Sequence, residues 1–106
     1  MAASRSVIAL TQIAAKAAIN KIGSELIALD LSEQMVLSEV FLIVTAQNEA
    51  QVDAIADGVQ EALAAVGEKP IRREGTAEWI LLDYSDLVVH IQSHNLRHYY
   101  MLDNLW

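Results

Sequence analysis

The chain has 106 residues, of which 54% are hydrophobic and 20% charged, with a net charge of −7 and no cysteine. That length fits one compact domain able to bury a core without staples, and the composition excludes a disordered chain. The acidic balance argues against DNA or nonspecific nucleic-acid binding, which needs a basic footprint, and leaves room for a basic protein partner.

Mean hydropathy is +0.28, so a membrane span has to be considered. No run of about 18 uncharged apolar residues exists, and no membrane association is expected. Gln12 and Lys16 interrupt the apolar N-terminal stretch, which reads better as a helix than as a signal peptide. A cytoplasmic location is expected, and the lack of cysteine fits a reducing compartment.

Residues from about Val7 to Ile22 predict an Ala-rich amphipathic helix, with Leu10, Ala14, Ala17 and Lys21 at helical spacing, Ile13 beside them and Gly23 as the stop. Residues 25–31 are mostly apolar and predict a strand. Val40 to Thr45 is a β-branched and aromatic run suited to a strand buried on both faces. Asn48, with Gln51 three residues on, resembles a capping box that opens a second helix. Val52, Ile55, Ala56, Val59, Leu63 and Val66 then form its apolar stripe, and Gly67 ends it.

Glu68 to Arg73 contains the only proline, Pro70, and suits a short edge strand. Gly75 suggests a turn. Trp79 to Ile91 then reads as two apolar strands around the acidic turn Asp83-Tyr84-Ser85-Asp86. His94 to Trp106 predicts a last helix, with Ser93 or His94 as its N-cap. This order gives an α/β or α+β fold in a single domain over 1–106, with a mixed β-sheet of about five strands flanked by helices.

Chemistry is sparse. No nucleophile elbow, Walker A or dinucleotide glycine pattern occurs. Ser85 and His90 lack an orienting third group. Asp83 and Asp86 could hold a cation, but Asp at both ends of a hairpin turn is ordinary turn chemistry. Asp53, Asp57 and Glu61 share one helix face, and His94 and His98 stand at the i, i+4 spacing of a zinc pair. Each set reads more simply as exposed polar surface, so no metal or cofactor is expected. Four of the six aromatic residues, Trp79, Tyr84, Tyr99 and Tyr100, fall between 79 and 100, with Trp106 beyond. Trp and Tyr favour protein interfaces, which tips the reading toward a binding module.

Several motifs together resemble the ribosomal silencing factor family, also called Iojap-related proteins. They are A-L-D-L-S-E-Q at 28–34, V-F-L-I at 40–43, and Gln51-Val52, Ala54-Ile55 and Asp57 on the second helix. R-R-E-G at 72–75, W-I-L-L-D-Y at 79–84, D-L-V-V-H at 86–90 and R-H-Y-Y-M-L-D-N-L-W at 97–106 complete the set. The resemblance implies a nucleotidyltransferase-like fold without the catalytic carboxylate motif, and a role without enzymatic activity. It implies binding to the large ribosomal subunit through protein uL-fourteen, which blocks joining of the small subunit and represses translation in nutrient limitation or stationary phase. A homodimer is implied for the free state.

Carried over by position, the partner-binding residues are Trp79, Asp83, Tyr100, Leu102 and Asp103, with Tyr84 and His90 beside them. Trp79 and Tyr100 would be flat anchors, Leu102 would fill an apolar pocket, and the two Asp would meet basic side chains. Two features depart from the family. Ser85 stands where a glycine is usual, and the segment between R-E-G and Trp79 is about two residues short. The alternative reading is a nucleotide- or metal-dependent enzyme on the same fold.

Overall fold

A computed structural model describes residues 5–21, 26–30 and 40–94. The expected last helix, and with it Tyr100, Leu102 and Asp103, lies outside the described residues, as does Gly23. Two helices, α1 (Arg5–Asn20) and α2 (Glu49–Ala64), accompany strands β1 (Leu26–Asp30), β2 (Val40–Ala46), β3 (Arg72–Thr76), β4 (Trp79–Asp83) and β5 (Leu87–Ser93). The strands form one mixed sheet in the order β1-β2-β5-β4-β3. β2 and β5 are parallel, and the other neighbours are antiparallel.

Side chains of a strand alternate between faces, so the register divides the sheet into two surfaces. Val40, Leu42, Val44 and Ala46 of β2, Leu87, Val89 and Ile91 of β5, and Ile80 and Leu82 of β4 belong to one core with both helices. Val52, Ile55, Ala56, Val59 and Leu63 fill that core from α2, and Val7, Ala14 and Ala18 from α1. The small residues on α1 permit a close approach. Gly58 of α2 sits against the aliphatic stem of Lys21, where a Cβ would come within 2.9 Å of Cγ.

The capping expected for α2 is present in altered form. Gln51 N–H donates to Asn48 Oδ1 at 2.9 Å. The Gln51 side chain reaches back not to Asn48 but to the N–H of Gln47, at 3.0 Å. At the other end Glu68 N–H donates to the Leu63 carbonyl at 2.9 Å and Gly67 N–H to that of Ala64 at 3.0 Å. Gly67 takes φ +86°. These are the two bonds of a Schellman stop, in which the left-handed residue is usually glycine. The stop turns Val66 outward to 53% exposure, so Val66 is not part of the apolar stripe.

Three boundaries also differ from the sequence reading. The edge strand begins after Pro70, at Arg72, and runs through Gly75 to Thr76. Gly75 therefore lies within β3, and the turn is Ala77-Glu78. Thr76 pairs with Trp79, so the short segment before Trp79 closes as a two-residue hairpin loop. Ser93 is the last residue of β5, buried, and held by Glu78 through its N–H and its hydroxyl. Among the described residues no helix is long and apolar enough to cross a membrane.

Candidate docking surface

The second face of the sheet carries Phe41, Ile43 and Thr45 from β2, Val88, His90 and Gln92 from β5, and Trp79, Leu81 and Asp83 from β4. Cross-strand register puts Ile43 and Leu81 on either side of His90. Period-2 alternation alone assigns residues within each strand. Only the strand order brings Trp79, His90 and Phe41 to one surface.

His90 is 5% exposed and lies on a central strand. Its Nδ1 accepts the indole N–H of Trp79 at 3.3 Å. The indole and imidazole centroids are 6.0 Å apart and tilted by 48°. The Phe41 ring packs against the same imidazole, with centroids 4.7 Å apart. An accepting Nδ1 carries no proton, so the neutral ring holds its hydrogen on Nε2. Among the described residues that buried Nε2 has no hydrogen-bond partner. Burial pushes the imidazole pKa down to about 4, because the cation loses its hydration there. His90 is thus neutral at physiological pH and acts as an acceptor, while Trp79 itself is half-buried.

Asp83 ends β4 on the same face. Its Oδ1 accepts the N–H of Ser85 at 2.8 Å, an Asx turn that shapes the hairpin loop. Its Oδ2 accepts from Arg72 Nε at 3.2 Å, and Arg72 also pairs with Glu74 at 3.0 Å. The loop residue Ser85 takes φ +73°, the left-handed region that favours glycine. Asp86 is exposed in the loop. The two carboxylates of the acidic turn therefore stand as turn residues, with Asp83 shared between Ser85 and Arg72.

Tyr84 belongs to the opposite, helix-side core and is 9% exposed. Its phenol pKa is raised to about 12, first by burial and then by Glu68, with Arg73 acting the other way. The structure thus brings Trp79, Asp83 and His90 to one face and places Tyr84 behind the sheet.

The acidic face of α2 has a partner that sequence spacing did not reveal. Arg73 reaches over from β3 to Asp57 at 2.8 Å, Gln60 at 3.1 Å and Asp53 at 3.2 Å. Arg72 and Arg73, adjacent in sequence, point to opposite faces and tie the edge strand to β4 and to α2. Phe41 and Arg73 are the residues the sequence reading missed. Phe41 was legible only as part of a buried run, and Arg73 only as half of a basic pair. Among the described residues no group of three or more His, Asp or Glu is arranged to hold a metal ion.

The chain is similar to proteins of one family. Residues 4–106 match the family described as "Ribosomal silencing factor during starvation". The ribosomal silencing factor RsfS of Halalkalibacterium halodurans is 34% identical over 99 residues, spanning 92% of this chain and 85% of that protein. A crystal structure of a protein from Chromobacterium violaceum superposes with a TM-score of 0.88 at 32% identity, covering 92% of this chain and 82% of that one. The chloroplastic Iojap protein of Zea mays is 34% identical over 71 residues, which are 62% of this chain and 29% of that protein. The chain belongs to the ribosomal silencing factor family.

Proposed function

We propose that this protein binds the large ribosomal subunit through protein uL-fourteen and prevents the small subunit from joining, so that translation is repressed when nutrients are limiting. The observation that carries this reading is Trp79: a half-buried indole on the sheet face, hydrogen-bonded to a buried histidine, in a chain of the silencing factor family. A partly exposed aromatic side chain of this kind is the sort of anchor that dominates protein interfaces. Asp83 and, from the last thirteen residues, Tyr100, Leu102 and Asp103 complete the proposed contact set, with His90 and Tyr84 supporting it from within.

The mechanism requires no bond to be made or broken. Occupying one face of the large subunit excludes its partner by volume. The net charge of −7 favours encounter with a basic ribosomal protein and suppresses contact with bare RNA. The fold is proposed to be nucleotidyltransferase-like without catalytic function. Asp83, bonded to Arg72 and Ser85, is read within this proposal as a turn residue and not as a catalytic group. A single domain, a cytoplasmic location and a homodimer in the free state belong to the same proposal.

The test is co-sedimentation with isolated large subunits, followed by a subunit-joining assay. Binding together with reduced joining supports the reading. Nucleotide or Mg²⁺ binding that is lost in Asp83→Asn would replace it with an enzymatic one.

A further inference from the structure

We propose that His90 is a positioning residue for docking: it contacts no partner itself, but holds the indole of Trp79 in one orientation before the ribosome is met. The inference rests on the reading of Trp79 as a ribosome contact, and goes beyond it by assigning the work of orientation to a group that the partner never touches.

A neutral histidine inside a sheet is a costly choice for packing alone. Its cross-strand neighbours Ile43 and Leu81, and Val88 on its own strand, are apolar, while Gln92 is a second buried polar residue on this face. An apolar residue at position 90 would fill the site without burying an imidazole N–H. What an apolar residue lacks is an acceptor. His90 supplies one at Nδ1, 3.3 Å from the indole nitrogen of Trp79, and Phe41 braces the imidazole ring from β2. Trp79 is the first residue of β4, directly after the β3–β4 loop, and its side chain is half-buried. Its hydrogen bond to a buried acceptor narrows the orientations open to the indole in advance. Immobilising one such side chain on binding costs about 0.5–1.5 kcal/mol, so its prior fixation is worth a roughly two- to twelve-fold gain in affinity.

The tests use the full chain. His90→Leu removes the acceptor, whereas His90→Asn places an amide oxygen close to where Nδ1 stands. Affinity for large subunits is measured for both, alone and combined with Trp79→Ala. The expected result is a roughly three- to ten-fold loss in His90→Leu, recovery in His90→Asn, and no further loss from His90→Leu once Trp79 is alanine. If Trp79→Ala binds as well as wild type, the docking reading fails. If Trp79→Ala loses binding but folded His90→Leu keeps wild-type affinity, the positioning role alone fails. A readout on the unaltered chain covers the case in which His90→Leu does not fold. Histidine ¹⁵N shifts at neutral pH should show His90 with an unprotonated, hydrogen-bonded Nδ1 and a protonated Nε2. A protonated Nδ1 would overturn the proposal.

Discussion

The backbone carbonyl of Trp79 occupies the space into which a side chain at Gly75 would project. Gly75 also takes φ +90°, so two independent constraints require glycine at this point of the edge strand. The final residue of R-R-E-G thereby sets how β3 lies against the strand that carries Trp79. Gly75→Ala is expected to destabilise the protein by about 2–4 kcal/mol, the sum of left-handed strain and displaced backbone. Urea denaturation checks this. A midpoint within experimental error of wild type would contradict it.

Tyr84 N–H donates to the Leu87 carbonyl at 2.8 Å, which closes a two-residue loop of Ser85 and Asp86, and Ser85 takes φ +73°. Two-residue hairpin loops favour glycine at such a position. Ser85→Gly is expected to stabilise the fold by about 1 kcal/mol, raising Tm by roughly 5 °C for a chain of this size. The backbone N–H of position 85 still donates to Asp83, so the Asx turn survives. A lowered Tm would mean that the serine side chain contributes more than its backbone strain costs.

These two positions show what was legible in the sequence. The Trp79–Ile91 hairpin was visible because an acidic turn separates two apolar runs, and the α2 cap because Asn48 and Gln51 have local partners. The positive φ of Ser85 was foreshadowed only by the family resemblance, in which glycine is usual at that position. Gly75 was read as a turn because its constraint comes from Trp79 four residues later, through pairing that local pattern does not encode. The Trp79–His90–Phe41 grouping needs β5 to lie between β4 and the parallel strand β2, a non-local arrangement. Arg73 is the clearest omission, since the spacing of Asp53 and Asp57 shows a charged face but not the cation that crosses it.

Arg73 counters the repulsion between Asp53 and Asp57, which stand one turn apart on α2. All three groups retain solvent contact, so screening keeps the contribution small. Arg73→Gln is expected to cost about 0.5–1 kcal/mol at low ionic strength, and less in 1 M salt, where the screening length is about 3 Å. Thermal unfolding at the two salt concentrations checks it. A loss that does not shrink with salt would assign Arg73 a packing role instead.

His90 makes stability depend on pH with a definite sign. Its folded pKa of about 4 lies below the ordinary value of 6.5. The unfolded chain therefore binds a proton that the folded chain excludes. The stabilisation from neutral His90 is fully present above pH 6.5 and declines as pH falls toward 4. The difference is on the order of 3 kcal/mol across that window. The charged groups on the same face among the described residues are Asp83 from β4 and Arg72 and Glu74 from β3. The measurement is accordingly the difference in urea midpoint between wild type and His90→Asn from pH 7 to 4.5. The wild type should lose stability more steeply. Parallel curves would place the titration elsewhere.

The account turns on Trp79 as the anchor of ribosome docking. Its most direct test is co-sedimentation of the protein with isolated large ribosomal subunits at low salt, wild type beside Trp79→Ala, with the fold of each checked by circular dichroism. The expected result is that wild type pellets with the subunits and a folded Trp79→Ala stays in the supernatant. Wild type that remains in the supernatant, or a Trp79→Ala variant that pellets equally well, would contradict the account.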